Sequence, residues 1–376
     1  MVNDGTAREG LPDLGGWLGG LAPSAVSGPT PAFYYSRRVI RDRIAVAHDV
    51  FAGYDRFFSV KANPCPGVLR EVHKAGLGFE VASGGELVAA RHAGGDPKRM
   101  VRGGVGRTRG DFSQAIRLGF AVLVIDSPAE LQRYLEAGTG RTRAVLRVAW
   151  PPGGERPDQF GFDGRALALA APCRQVHGLH VYFSDVGIDA ARVEAGIKAF
   201  IEVCHGFREA GGRLDCLMVG PGLSIPYREG AREPPAAAVA AAYAGLRRAI
   251  APIWAGLEVG RFIVGPAGWY VVTVLDVKEV HQTRFLILDG GWNHLLRPVV
   301  TGEPFPVVNA SRPPGGAEEE YVLAGPTCSP LDVLGRVRLP RTSAGDRLVF
   351  ARVGAYGRTM AVAPFMSRGP ASELVF

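Results

Sequence analysis

The sequence lacks the features that mark membrane-spanning, secreted and zinc-binding proteins. It has no run of about 18 apolar residues, which a membrane-spanning helix requires. Its start, Met1 to Gly5, has no charged stretch leading into an apolar core, so we identify no signal peptide. The 5 cysteines are widely spaced, without a CxxC pair, which argues against a disulfide framework and a metal site. These absences predict a cytoplasmic protein with reduced thiols and no membrane contact.

Basic charge is present but is not concentrated. The net charge is +7 and the pI about 9.3, yet there is no dense Lys/Arg run with interleaved aromatic residues. This pattern argues against a nucleic-acid groove and favours at most weak attraction to acidic substrates or an acidic carrier protein. With 376 residues, 47% of them hydrophobic, the chain is long enough for two domains or for one barrel with an appendage.

Apolar strands and amphipathic helices alternate over most of the chain. A loose lead-in rich in Gly, Pro and Ala is predicted at 1–29, and a short strand at 30–36. Alternation over 37–265 predicts a (β/α)8 TIM barrel, because strands separated by helices form parallel sheets. Its strands are expected at Phe57–Val60, Phe79–Ala82, Arg99–Val101, Ala121–Ile125, Ala144–Val148, Leu179–Phe183, Cys216–Val219 and Gly256–Glu258. Helices become scarce after Gly265, which predicts a C-terminal β-rich domain at 266–376, joined by the N-terminal strand.

Lys61 ends an apolar run, and an Asn-Pro turn follows at once. This places an amine at the carboxyl end of a strand, where barrel folds carry out chemistry. A lysine held against apolar walls has a lowered pKa, and its free amine can form a Schiff base. Taken alone, the pattern also fits a lysine that extends into water.

Five motifs occur in order at intervals that match a known family. They are Ser59-Val60-Lys61-Ala62-Asn63, Phe79 to Leu87, Glu258 to Arg261, Gly325 to Asp332, and Gly354 to Gly357. With them, residues 30–376 resemble the fold type III (alanine-racemase-fold) enzymes, specifically the ornithine/diaminopimelate decarboxylase family. The resemblance implies pyridoxal 5'-phosphate as cofactor and amino-acid decarboxylation as the reaction.

The resemblance also implies roles for individual residues. Lys61 matches the Schiff-base lysine, Glu258 the partner of the pyridine nitrogen, and Cys328 the acid that protonates the carbanion. The full set of implied cofactor contacts is Lys61, Glu80, Ser83, Tyr182, Asp185, Gly220, Gly222, Glu258, Arg261 and Tyr356. The loop of Cys328 reaches into the partner subunit's site in relatives, so a homodimer with shared active sites is implied.

Three positions depart from the family pattern around the cofactor. Pro221 replaces the middle glycine of the phosphate loop, which removes one N–H donor. Tyr182 stands where many members have a histidine stacked on the ring, and it can stack as well; His180 is then expected to be a structural strand residue. Asp185 stands where Ser or Thr usually meets the phosphate, which a carboxylate would repel.

Substrate-contacting positions depart as well. Relatives that act on diamino acids place Asp or Glu directly after the loop cysteine, where this chain has Ser329. Diaminopimelate enzymes have a tyrosine four residues after the arginine of the Arg-Pro pair; here Arg297 is followed there by Thr301. A site for a buried ammonium would lose about 2 to 5 kcal/mol without its carboxylate.

We therefore expect a substrate whose distal group is an amide, ester or carboxylate. Arg297, Ser329 and Asp332 are the expected contacts. The Cys328-Ser329-Pro330 stretch is similar to the subgroup that acts on carrier-tethered or citrate-conjugated amino acids in natural-product and siderophore pathways. Two alternatives stay open: an amino-acid racemase on the same fold, and a noncatalytic protein that binds pyridoxal phosphate.

Overall fold

Short buried runs alternate with amphipathic segments along the middle of the chain, and the two kinds of segment fold into different layers. The computed structural model describes residues 16–138, 140–151, 159–184, 187, 189–228, 231–251, 253–313 and 317–376. The chain divides into two compact units. One contains Ile40–Pro226 and Arg232–Ile263, and the other contains Met1–Val39, Tyr227–Ala231 and Val264–Phe376.

In the first unit, the described residues contain eight parallel strands that close into a barrel in the order β2 to β9. Their bounds are β2 Asp55–Ser59, β3 Gly78–Val81, β4 Met100–Arg102, β5 Val122–Ile125, β6 Arg143–Arg147, β7 Val176–Tyr182, β8 Cys216–Gly220 and β9 Trp254–Val259. The last strand pairs with the first, with Phe57 opposite Glu258. The predicted TIM barrel is confirmed, with strand ends displaced by at most three residues.

The barrel interior is filled by apolar side chains. Buried residues of several strands form one cluster there: Phe57, Val101, Val122, Val124, Val145, Cys216 and Met218. Burial of each large apolar side chain contributes about 1.5 to 3 kcal/mol, which favours this single register.

Helices follow the strands, and α4 to α8 begin at side-chain caps. Their bounds are α2 Arg37–Val50, α3 Pro66–Lys74, α4 Gly84–His92, α5 Arg109–Leu118, α6 Pro128–Ala137, α7 Gly164–Ala170, α8 Ala190–Glu209, α9 Ala236–Ile250 and α10 Arg261–Val264. Ser83 caps α4 by accepting from the Glu86 N–H. Thr108 and Asp111 form a reciprocal capping box at α5. No helix in the described ranges is long and apolar enough to cross a membrane.

A buried ion pair fixes two of the loops at the carboxyl ends of the barrel strands. The Arg107 guanidinium lies 2.6 Å from Glu130 Oε2. The backbone N–H groups of Arg107 and Asp126 also donate to Glu130. Burial raises the pKa of Glu130, but these contacts outweigh it and hold the pKa below its usual value.

The second unit is dominated by β-structure. It contains α1 Pro23–Val26, β1 Ala32–Tyr35, β10 Gly268–Val280, β11 Thr283–Leu288, α11 Arg297–Thr301, β12 Val307–Asn309, β13 Glu318–Ala324, β14 Val333–Pro340, β15 Arg347–Ala351 and β16 Ser372–Val375. The sheet order is β12-β15-β10-β11-β13-β14, and β1 pairs with both β10 and β16. The prediction that the N-terminal strand joins the C-terminal β domain is confirmed by the antiparallel pairing of Phe33 with Tyr270.

The expectation of a loose lead-in is wrong for residues 16–29. Leu18, Leu21 and Ala25 are buried against the sheet, next to Trp269. The Trp269 indole N–H donates to the Trp17 carbonyl. Burial of these apolar side chains offsets the entropy that the Gly- and Ala-rich segment loses on ordering. Residues 1–15 lie outside the described residues.

Candidate active site

Charged residues collect at the carboxyl ends of the barrel strands. The members of this group are Lys61 after β2, Glu80 in β3, Asp126 after β5, Arg147 at the end of β6, His180 in β7 and Glu258 in β9. All belong to the barrel unit, and five of the six are buried or partly buried. An apolar barrel holds charged groups at one end only where they have partners or a ligand. We call this group the mouth cluster.

Lys61 lies in a 3-10 turn, Val60–Ala62, directly after β2. Its Nζ is 3.2 Å from Oε2 of Glu80; the lysine side chain is 45% exposed, whereas the glutamate is 3% exposed. Of the two interpretations of Lys61, this geometry favours the lysine that extends toward water, with its amine paired to Glu80. Gly260 lets the turn pack closely, since a Cβ there would lie 3.0 Å from that of Ala62.

Glu258 and His180 form a buried pair. His180 Nε2 lies 3.3 Å from Glu258 Oε1, and the side chains are 5% and 7% exposed. Burial raises the pKa of Glu258, but His180, Lys61 and Arg147 outweigh it and the pKa is lowered. Among the described residues, His180 Nδ1 has no hydrogen-bond partner, and Glu258 Oε1 has none other than the approach of His180 Nε2.

A second carboxylate in the mouth cluster behaves differently. Asp126 Oδ1 lies 3.3 Å from the Arg147 guanidinium. Burial nevertheless raises the pKa of Asp126, because Arg147 compensates only part of the desolvation. Arg147 also stacks over the Phe160 ring, with its guanidinium carbon 4.1 Å from the ring centroid.

The glycine loop after β8, Gly220 to Gly222, has no room for a side chain at either glycine. A Cβ on Gly220 would lie 2.6 Å from a ring carbon of Tyr182. Gly222 has φ +63°, and a Cβ there would overlap the carbonyl oxygen of Phe183. Pro221 between them is buried and has no N–H to donate. The bare backbone at this turn is a cradle of the kind that binds phosphate.

Other predicted cofactor contacts lie around the same rim of the barrel. Tyr182 is the last residue of β7 and is 42% exposed, with its ring beside Gly220. The Ser83 hydroxyl accepts from the Glu86 N–H and so serves as a helix cap. Arg261 begins α10, directly after β9. Asp185 lies outside the described residues.

Tyr356 belongs to the β-rich unit, in the turn after β15. Its φ is +59°, which is uncommon for a residue with a side chain. Gly354 and Gly357 flank it, and a Cβ on Gly357 would overlap the Val353 carbonyl. A tyrosine held in this strained conformation is typical of a functional turn, since the surrounding backbone must compensate for the strain.

The loop of Cys328, residues 325–332, is braced by Asp332. The buried carboxylate accepts from the Trp292 N–H at 2.7 Å and from the Thr327 N–H and hydroxyl at 2.9 and 2.7 Å. Cys328 is exposed, and its N–H points at the Met366 sulfur. Ser329 Oγ accepts from the Leu331 N–H. The geometry favours a bracing role for Asp332 over the predicted substrate contact, because both of its oxygens already accept bonds.

Replacement of Asp332 with Asn should loosen this loop. An amide presents an N–H₂ group to N–H donors, so at least one donor loses its acceptor at a cost of about 1 to 3 kcal/mol. We expect a lower unfolding midpoint in urea and faster reaction of Cys328 with a thiol reagent. The control is Asp276→Asn, at an exposed position of β10. Unchanged reactivity of Cys328 in the Asp332 variant would contradict the bracing role.

Arg297 is fixed within the β-rich unit rather than open to a ligand. Its guanidinium lies 2.8 Å from Glu303 Oε2. It also stacks on the Tyr227 ring at 4.3 Å and near the Phe305 ring at 5.3 Å. Arg228 pairs with the other oxygen of Glu303 at 2.8 Å. A substrate anion at Arg297 would have to share the arginine with Glu303.

Sequence reasoning missed three members of the mouth cluster. His180 was expected to be structural, whereas it lies against Glu258. Asp126 and Arg147 were not singled out. Asp126 directly follows the predicted strand Ala121–Ile125, and Arg147 is the next-to-last residue of the predicted strand Ala144–Val148. A position near the carboxyl end of a barrel strand was the available signal.

The comparisons with known proteins agree with the fold. Residues 37–265 match the family model for the pyridoxal binding domain of pyridoxal-dependent decarboxylases. The diaminopimelate decarboxylase of Pseudomonas aeruginosa is 31% identical over 92% of this chain and 87% of that protein. The enzyme of the same name from Zymomonas mobilis is 29% identical, with the same coverage of both chains.

Solved structures give the same result. AQ1208 from Aquifex aeolicus has a TM-score of 0.83 at 25% identity, covering 92% of this chain and 86% of that one. Diaminopimelate decarboxylase from Helicobacter pylori, complexed with L-lysine, has a TM-score of 0.82 at 24% identity, covering 93% of this chain and 92% of that one. The second likeness shows the fold alone.

The mouth cluster and the glycine loop fit pyridoxal phosphate. A buried carboxylate whose Oε1 has no described hydrogen-bond partner other than the His180 imidazole suits an N–H donor on a ring, and the bare turn at Gly222 suits a phosphate. Since the family model covers more than half of the chain and a relative is 31% identical over 92% of it, the chain belongs to the pyridoxal-dependent decarboxylases, enzymes that act on amino acids with pyridoxal phosphate as cofactor.

Proposed function

We propose that this enzyme removes the α-carboxylate of an amino acid or amino-acid conjugate and that Lys61 holds the cofactor covalently through Nζ. The observation that carries the proposal is the pairing of the half-exposed Lys61 side chain with buried Glu80, in the same barrel mouth as Glu258. Bound pyridoxal phosphate would withdraw electrons from the Cα–carboxylate bond. Glu80, within 3.2 Å of Nζ, orients the lysine.

The remaining contacts divide by the part of the cofactor that they would hold. Glu258 would accept from the ring nitrogen, and Tyr182 would cover one face of the ring. The turn at Gly220 and Gly222 would hold the phosphate. Further contacts with the cofactor are proposed for Ser83, Asp185, Arg261 and Tyr356. The strained φ of Tyr356 supports its place in this set. Pro221 leaves one donor fewer in the turn.

Reduction with borohydride tests the covalent contact. Purified protein loaded with pyridoxal phosphate is reduced and digested, and the labelled peptide is sequenced by mass spectrometry. We expect the label on Lys61 and carbon dioxide release from a substrate panel before reduction. Binding without carbon dioxide release from any member would favour the noncatalytic alternative, and loss of optical activity with the carboxylate retained would favour the racemase.

Cys328 is the proposed proton donor to Cα after carbon dioxide leaves. Its exposure on a braced loop supports this role, since the thiol must reach a site outside its own unit's core. Replacement with Ala should lower turnover by about 100-fold and leave the absorption of the bound cofactor unchanged, because a positioned acid contributes about this much. Cys173→Ala, which removes another partly exposed thiol, is the control. Normal turnover by the Cys328 variant would contradict the assignment.

The substrate proposed here carries a neutral amide or ester at its distal end. Ser329 supplies no charge for an ammonium, and Glu303 already compensates Arg297, so a neutral acceptor matches the site better than a free carboxylate. Such groups occur in carrier-tethered and conjugated amino acids of specialised metabolism. We therefore propose that the enzyme acts in a specialised-metabolite pathway in the cytoplasm.

Diaminopimelate is the second candidate, because it appears in the names of the relatives. The two substrate proposals are distinguished by comparing kcat/KM for carbon dioxide release between two groups of compounds. The first group is meso-diaminopimelate, L-lysine and ornithine, and the second is amides and esters of the same backbone. A preference for diaminopimelate of about 100-fold or more would overturn the specialised-substrate proposal.

Two copies of the chain are proposed to form a dimer with shared active sites. Three large apolar side chains close to the loop of Cys328, in the sequence or by contact, are exposed: Leu331, Phe365 and Met366. A second copy of the chain could bury them. A mixture of the Lys61→Ala and Cys328→Ala variants should then regain about a quarter of the sites after subunit exchange, as two-fold symmetry requires. A monomer in sedimentation would contradict this.

A further inference from the structure

His180 occupies a position that the proposed chemistry does not yet use. It lies in β7, two residues before Tyr182, and is 4% exposed. Its Nε2 approaches Glu258 Oε1 at 3.3 Å, and its Nδ1 has no hydrogen-bond partner among the described residues. A buried histidine nitrogen without a hydrogen bond costs free energy of folding. A residue with a purely structural role in the strand would not need to have this cost.

We propose that His180 is a positioning residue that fixes the carboxylate of Glu258 and keeps it ionised for the ring nitrogen of the cofactor. This inference rests on the proposed function, in which Glu258 meets that nitrogen. A carboxylate buried in a barrel takes up a proton unless neighbouring groups favour its charge. A protonated Glu258 could not stabilise a positive charge on the ring.

The surroundings of the pair support this assignment. The side chains that lower the pKa of Glu258 come from three elements: His180 in β7, Lys61 after β2 and Arg147 at the end of β6. Arg147 is already paired with Asp126 at 3.3 Å, and Lys61 with Glu80 at 3.2 Å. His180 is the member of the three for which no other side-chain partner is found in the described ranges, so its contact with Glu258 is the one specific to that carboxylate.

The contact also explains the choice of residue at this point of the strand. β7 pairs with β8 through His180 and Met218, and β8 pairs with β9 through Met218 and Gly256. His180 and Glu258 are therefore two strands apart, as interior side chains of alternate strands are when they share a layer. The ring reaches across β8 and brings Nε2 to 3.3 Å from Glu258 Oε1.

The test compares His180→Phe with His180→Gln in the full-length protein. Phe keeps a ring of similar size but has no donor, whereas Gln keeps an N–H that can reach a carboxylate. We expect Phe to weaken cofactor affinity, measured by fluorescence titration of apo-protein, by about 10- to 100-fold and to change the visible absorption band of bound cofactor. Gln should restore most of the affinity and the wild-type band.

The double variant with Glu258→Gln separates positioning from general structure. If His180 acts through Glu258, adding His180→Phe to Glu258→Gln should change affinity by less than about twofold, because coupled residues are not additive. Independent, additive losses would overturn the inference. His177→Phe on the same strand is the matched control: its Nδ1 accepts from the Ala144 N–H, away from the mouth cluster, so affinity and band should stay at wild-type values.

Failure of the inference and failure of the proposed function give different results. Wild-type protein that is not labelled on Lys61 by borohydride overturns the proposed function and the inference with it. Lys61 labelled as expected, together with wild-type affinity and absorption in His180→Phe, overturns the inference alone.

Discussion

Replacement of Lys61 with Ala should abolish covalent capture of the cofactor and lower carbon dioxide release by about 10⁴-fold or more. The amine is both the proposed attachment point and the group that an amino-acid substrate must displace, so its loss removes a step that no neighbour can perform. Glu80 remains buried beneath the vacant position and cannot supply a nucleophilic nitrogen. The measurement is borohydride reduction with peptide mapping, alongside release of labelled carbon dioxide.

The chain makes this experiment unusually clear because it has only five lysines: Lys61, Lys74, Lys98, Lys198 and Lys278. The control is Lys198→Ala, since Lys198 is a solvent-exposed residue of α8 paired with Glu194 at 2.7 Å. It should keep full labelling and turnover. A labelled peptide that contains Lys74 or Lys278 instead of Lys61 would contradict both the attachment site and the role of Glu80.

The barrel could be predicted from the sequence because its signals are local. Each strand is a short apolar run, as in β5, where all four residues are buried, and each is followed by an amphipathic helix. Caps such as Ser83 are read directly from neighbouring residues. The class of fold follows from this alternation without any knowledge of pairing.

The β-rich unit could be predicted only in outline. β13 and β14 carry alternating charged residues, with Glu320 paired to Arg336 and Glu318 near Arg338 across the strands. Such strands have a weak apolar signal, since cross-strand contacts stabilise them and the sequence does not show which strands are neighbours. Burial of Leu18 in the lead-in is missed for the same reason, because its partners are about 250 residues away.

Some residues and contacts of the candidate site could likewise be predicted from the sequence, and others could not. Lys61 and Glu258 could be selected because each ends a strand within a short motif. The contact of His180 with Glu258 depends on how three strands align around a closed barrel, which a single sequence does not specify. The bracing of the Cys328 loop by Asp332 likewise depends on Trp292, a residue 40 positions away.

The glycine loop offers a second large effect. Replacement of Gly222 with Ala should weaken cofactor affinity by about 100-fold, because φ +63° disfavours a side chain and the new Cβ would overlap the Phe183 carbonyl. The αL strain of about 1 to 2 kcal/mol and the steric overlap of about 1 to 3 kcal/mol are both relieved if the backbone moves away. That movement would displace the amides proposed to hold the phosphate. Titration of apo-protein with pyridoxal phosphate measures the loss.

Gly211→Ala provides the matched control for this effect. Gly211 has φ +87°, so it carries the same kind of conformational strain, but no atom lies within 4 Å of the position of its Cβ. It follows α8, away from the carboxyl ends of the strands, and should lose about 1 kcal/mol of stability with unchanged cofactor affinity. Equal affinities in the two variants would mean that the turn at Gly222 does not hold the phosphate. The binding role would then pass to Arg261 and Tyr356, since Pro221 contributes no donor.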